Sequence, residues 1–200
     1  MGAGCLSQWW PAPFVICGTE YATAEHWMMA SKARLMGDHD TAERILTCGS
    51  PSEAKQIGRR VRPFDQRRWD AIRFDLVVCG NLAKFTQHAD LGEYLLGTGK
   101  QILVEASPWD RVWGIGLAAD DPRVREPDHW RGSNLLGFAL MEVRTRIDAH
   151  VGALSTKRTA PVAAFPDFTA VPGFGAKRER SVRRRTAPGR SAKAKRQRRL

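Results

Sequence analysis

The chain has 200 residues, 42% hydrophobic and 26% charged, a balance that suits one ordinary domain with its own core and excludes a miniprotein that needs disulfide staples. The net charge of +11 is unevenly placed: residues 1–150 hold 18 Lys and Arg against 19 Asp and Glu, whereas residues 151–200 hold 14 against 2. A nearly neutral globular domain is therefore expected over 1–150 and a strongly basic tail over 151–200. Cys5, Cys17, Cys48 and Cys79 form no C-x-x-C pair, no apolar run of about eighteen residues occurs, and the first residues lack a secretory pattern. The expectation is a reduced, cytoplasmic protein that does not engage a membrane.

Residues 6–17, L-S-Q-W-W-P-A-P-F-V-I-C, are aromatic and broken by proline, which suggests a lid or wall ending in a short strand at Phe14 to Cys17. Thr23 is the expected N-cap of a helix running to Met36 and stopped by Gly37. On that helix Glu25, Met29 and Lys32 share one face, while Glu25 also sits in the first turn, where the helix dipole favours a negative charge for stability alone. A second helix fits Asp40 to Thr47. A third opens with Ser50-Pro51-Ser52-Glu53, the Ser N-cap, Pro N1 and Glu N3 of a capping box. Asp65 caps a longer helix on which Trp69, Ile72, Leu76, Leu82 and Phe85 supply an apolar stripe, Trp69 as a core anchor by default and Gly80 as an interruption. Asp90 starts another helix that Gly97 and Gly99 close.

A strand is expected over Gln101 to Glu105, leading into the most unusual stretch of the chain, L-V-E-A-S-P-W-D-R-V-W-G-I-G from Leu103 to Gly116. Glu105, Trp109, Asp110 and Trp113 place two carboxylates and two indoles within nine residues punctuated by Pro108 and Gly114. They offer charge for a developing cation and flat faces for a sugar or base. The same spacing also fits a buried helical face with the acids in solvent. A polar loop over Ala118 to Arg131 precedes a final amphipathic helix with Leu136, Leu140, Val143 and Ile147 inward. The fold class is mainly α, a compact helical domain with a small β element.

From about Val151 the chain turns to Ala, Pro, Thr and Gly and then to basic runs, with no aromatic among the final 26 residues. A disordered tail is expected. It would hold nucleic acid through phosphate charge, hold an acidic partner, or aid solubility. Glu25-His26 is not part of an H-E-x-x-H motif, there is no P-loop, and Gly114-Ile115-Gly116 lacks the third glycine of a dinucleotide fingerprint.

Eight segments in order, T-A-E-H-W with S-K-A-R, S-P-S-E-A-K-Q-I-G-R-R, R-W-D-A-I-R, N-L-A-K-F, L-L-G-T-G, L-V-E-A-S-P-W-D-R-V-W-G-I-G and G-S-N-L-L-G-F-A-L-M-E-V-R, resemble the NADAR (YbiA-like) family across about residues 6–147. The resemblance implies a mainly helical fold and N-glycosidase activity. It implies as substrate either a ribosylamino-pyrimidine, an early intermediate of riboflavin biosynthesis, or ADP-ribose attached to guanine bases. Glu25 matches the acid of the family's E-H segment, Trp69 the W of W-D-x-x-R, and Asp110 and Trp113 the D-x-x-W-G segment. Lys32, Arg60 and Asn134 match polar positions able to hold phosphate or ribose.

Breaking a C1′–N bond builds positive charge on the sugar, so one carboxylate near the ring and another able to move a proton suffice for the chemistry. The roles expected are Glu25 as general acid/base, Asp110 as the group that orients water or supports the cationic sugar, Trp69 and Trp113 as base-stacking walls, and Glu105 in reserve. The scheme needs no metal ion and no cofactor; its partner is a small nucleotide-like substrate. Two other classes stay open: a non-catalytic module that binds ADP-ribose or a nucleotide, and a structural domain carried to nucleic acid by its tail.

Overall fold

The computed structural model describes residues 2–156; the expected tail lies outside them, apart from its first few residues. A short 3-10 turn over Ala3–Leu6 leads to the hairpin of β1 (Phe14–Ile16) and β2 (Thr19–Tyr21). Six helices follow: α1 (Ala24–Leu35), α2 (His39–Thr47), α3 (Pro51–Gly58), α4 (Gln66–Gln87), α5 (Ala89–Gly97) and α6 (Leu135–Thr156). The hairpin is antiparallel, pairing Phe14 with Tyr21 and Ile16 with Thr19. Its two-residue turn puts Cys17 at φ 51° and Gly18 at φ 75°, the left-handed pair that matches strand twist.

The caps form largely as their residue types dictate. Thr23 accepts from the His26 N–H, Asp38 from Thr41, Ser50 from Glu53 and Asp65 from Arg68, so four helices start on a side-chain oxygen. Glu53 returns its Oε2 to the Gly49 N–H at 3.1 Å, one residue ahead of the position a simple capping box serves.

Around α1 the other elements assemble: α2, α3, α4 and β2 all pack on it. It is buried on nearly every side, which explains its lack of a clean polar face. Trp27 at its centre donates its indole N–H to Leu76 O at 2.6 Å and meets Tyr21 edge-on at 5.1 Å between ring centroids. Gly80 is where α4 admits that indole, since a Cβ there would lie 2.2 Å from Trp27 Cδ1. The expected interruption at Gly80 is therefore absent, and α4 runs unbroken through it. On its other side α4 packs against α5, α6 and β1.

Two further expectations change. Residues 101–105 form no strand: their backbone groups pair with an asparagine side chain and a neighbouring turn instead of a second strand, and the β element is the β1–β2 hairpin alone among the described residues. The final helix extends past Ile147 to Thr156, a few residues into the region read as tail. None of the described helices is long and apolar enough to cross a membrane.

Candidate active site

A cleft of about 570 Å³ opens between the start of α1, the end of α3, residues 7–9 and the irregular segment 105–113. Glu25 enters it from the first turn of α1, only 2% exposed. Its backbone N–H donates to Gln8 O at 3.0 Å, so helix start and N-terminal wall are joined at this residue. Burial lifts the Glu25 carboxyl from its ordinary range to about 7; Lys55, a hydrogen bond from Trp9 and Arg59 oppose the rise, and the negative charge of Asp110 adds to it. A carboxyl so placed is half-protonated near neutrality and suits proton transfer.

Glu105, Asp110 and Trp113 line the same cleft from the irregular segment 105–113. Asp110 Oδ1 accepts from the N–H groups of Val112 (2.9 Å) and Trp113 (2.8 Å), which folds the chain back and sets the Trp113 ring at the cleft wall. Burial raises the Glu105 carboxyl, and the Asp110 charge pushes it the same way against Lys55. Gly114 lies under this turn, where a Cβ would come within 2.8 Å of the carbonyl oxygens of both Glu105 and Asp110. Residues 112–114 then offer their carbonyls to the N–H groups of Leu135, Leu136 and Asn134, satisfying amides at the start of α6 that no preceding turn can serve.

Four of the eight expected site residues, Glu25, Glu105, Asp110 and Trp113, thus line one cleft. The other four lie off its lining. Trp69 is 7% exposed within the core, as its default reading had it. Lys32 donates to Gly58 O at 2.9 Å and lies over the Phe64 and Trp69 rings, closing the end of α3. Arg60 is exposed, and its neighbour Arg59 takes the place in the cleft. Arg59 follows Lys55 by four residues and so shares its helical face, whereas Arg60 is turned about 100° further round. Asn134, fully buried at φ 50°, donates to Leu103 O (2.9 Å) and accepts from the Glu105 N–H (3.0 Å); it supports the segment carrying Glu105.

Sequence reading missed Gln8, Lys55, Arg59 and Arg111. The i, i+4 spacing of Lys55 and Arg59 behind the capping box was the available signal for that pair. Gln8 falls within the expected wall over 6–17, which Gln8 and Trp9 form, and Arg111 within the stretch from Leu103 to Gly116, but neither residue carried a signal of its own. Lys55, Arg59 and Arg111 take part in no ion pair found among the described residues, so three cations face three carboxyls without direct pairing. His26 turns away, its ring nitrogens meeting Thr23 Oγ1 and Cys48 O. The described residues hold no group of three or more His, Cys, Asp or Glu able to hold a metal ion.

Comparison with known proteins gives this arrangement a setting. The chain is 44% identical to an N-glycosidase of Acanthamoeba polyphaga mimivirus over 148 residues, covering 72% of this chain and 87% of that one. It is 36% identical to an N-glycosidase of Nostoc punctiforme, over 72% and 85% of the two chains. The NMR structure of Escherichia coli YbiA superposes with a TM-score of 0.62 at 29% identity, covering 78% of this chain and 83% of that one. The NADAR domain model matches residues 1–148, and the chain belongs to the NADAR domain family.

Proposed function

We propose that this protein is an N-glycosidase that hydrolyses the C1′–N bond of a ribosylamino-pyrimidine of riboflavin biosynthesis. The observation that carries the reading is Glu25: a carboxyl 2% exposed, raised to about 7, facing a cleft with two further carboxyls and an indole wall. In its protonated form Glu25 delivers a proton to the departing nitrogen. Asp110 keeps one oxygen on the Val112 and Trp113 amides and turns its charge toward the electron-poor sugar or the attacking water. Trp113 packs against the base, and Lys55, Arg59 and Arg111 attract an anionic group on the sugar. The names of the mimiviral, cyanobacterial and enterobacterial relatives support the bond type.

A second substrate, ADP-ribose on guanine in nucleic acid, is favoured by one feature: Trp109 stands 92% exposed at the lip of the cleft beside Arg111, an open edge suited to more than a mononucleotide. The test is incubation of purified protein with a phosphoribosylamino-pyrimidine and, separately, with an ADP-ribosyl-guanine oligonucleotide, following free base or free ADP-ribose by mass spectrometry. Release from the first is the expected result. Release from the second alone transfers the assignment to nucleic-acid repair, and release from neither supports a binding module.

A further inference from the structure

One side chain in the cleft has its polarity fixed by a chain of bonds that ends on nothing in the protein. Asn81 of α4 is fully buried and donates its Nδ2 to Val77 O at 2.8 Å; because a carbonyl can only accept, Asn81 Oδ1 must face the other way. It accepts from Gln8 Nε2 at 2.9 Å. Gln8 is therefore committed to presenting Oε1 as an acceptor, and that buried atom has no hydrogen-bond partner in the protein. Gln8 itself is 8% exposed.

The backbone on either side leaves Gln8 little freedom. Fully buried Lys84, one turn along α4 from Asn81, donates its Nζ to Cys5 O (2.8 Å) and Ser7 O (2.9 Å), and Gln8 O accepts the Glu25 N–H. Glu25 Oε1 is likewise buried without a protein partner. Two adjacent residues of the cleft wall thus each hold a buried acceptor that no protein donor serves, and buried acceptors are rarely left so. A donor from the bound substrate fits Gln8 Oε1, whereas the Glu25 oxygen can itself carry the proton delivered to the departing nitrogen. With Glu25 acting at C1′, the donor group next to the reacting carbon is the 2′-hydroxyl, and a bond to it strengthens as the sugar gains positive charge.

We propose that Gln8 Oε1 accepts a hydrogen bond from the 2′-hydroxyl of the substrate's ribosyl group, with Asn81 as the positioning residue that sets which way the Gln8 amide faces. The proposal rests on the N-glycosidase reading of the cleft. Its test measures affinity rather than turnover: calorimetric titration of the full chain with ribose 5-phosphate and with 2-deoxyribose 5-phosphate. The wild type binds the ribose compound about tenfold to a hundredfold more tightly, the range for a buried acceptor left unpaired. Gln8→Met, similar in length but unable to accept, binds both sugars alike, and Asn81→Ala, which lets the amide turn over, keeps only part of the preference.

Equal wild-type affinity for the two sugars, no binding of either, or a preference retained by Gln8→Met overturns the proposal. The wild-type comparison decides alone if the variants melt early. Base release without any sugar preference rejects Gln8 alone, whereas a clear sugar preference without base release rejects the hydrolase.

Discussion

Glu25 reaches the cleft from the first turn of a helix buried on nearly every side, whereas Glu105 and Asp110 reach it from a segment without regular structure whose backbone is tied to the start of α6. The helical wall holds its carboxyl in a low-dielectric site and raises its pKa by burial. The loop wall holds Asp110 by giving one of its oxygens to two backbone amides. Two carboxyls of one cleft are thereby held in different surroundings, Glu25 by burial on a helix and Asp110 by bonds to backbone amides.

The sharpest way to test that division is Glu25→Gln, which removes the proton but keeps shape and polarity. Turnover should fall by about a hundredfold or more if Glu25 performs general acid/base work. The wild type should show an ionisation near pH 7 in kcat/KM that the variant lacks. Stability gives an independent readout with a definite sign. Because the folded pKa lies above the ordinary 4.5, the native state holds the extra proton between about pH 4.5 and 7, and wild-type stability falls as pH rises through that window. Glu25→Gln has no charge to bury, so its advantage in thermal melts should grow from pH 5 to pH 8, by up to about 3 kcal/mol.

On the loop side, Asn134→Ala removes both bonds that hold residues 103–105 and places Ala at a positive φ; urea unfolding should show a loss of about 2–4 kcal/mol. Asp110→Asn keeps an acceptor oxygen for Val112 and Trp113 while deleting the charge. It should lower kcat by about tenfold to a hundredfold with stability within about 0.5 kcal/mol of wild type. A similar kcat for Asp110→Asn and wild type would reduce Asp110 to a turn residue. Trp109→Ala should have the least effect: the exposed indole contributes little to stability, and KM should rise a few-fold at unchanged kcat.

The same contrast explains what could be read from the sequence. Helix starts were readable because Thr23, Ser50 and Asp65 act within three residues of themselves. Glu25 and Asp110 were readable from local spacing and family resemblance. The run Ile102-Leu103-Val104 looked like a strand because its composition suits one, yet strand identity depends on a neighbour, and here Asn134, 31 residues from Leu103, takes the backbone bond. Gly80 suggested a break because the reason for glycine, the Trp27 indole, lies on another helix. Arg60 rested on the family resemblance alone, whereas the helical phase set by Lys55 brings Arg59 to the cleft. Gln8 lay within the expected wall over 6–17, but its orientation had no local signal, since it comes from Asn81, 73 residues away.

The carbonyls of residues 112–114 that receive the amides of Asn134, Leu135 and Leu136 make the first turn of α6 and the Asp110 segment a single opening unit. Amide hydrogen exchange at those three positions should therefore report on the integrity of the cleft from more than twenty residues away in sequence, without any substrate or chromophore. A ligand that steadies the loop should slow all three together, and a variant that loosens Asp110 should quicken them while leaving the amides of α1 untouched.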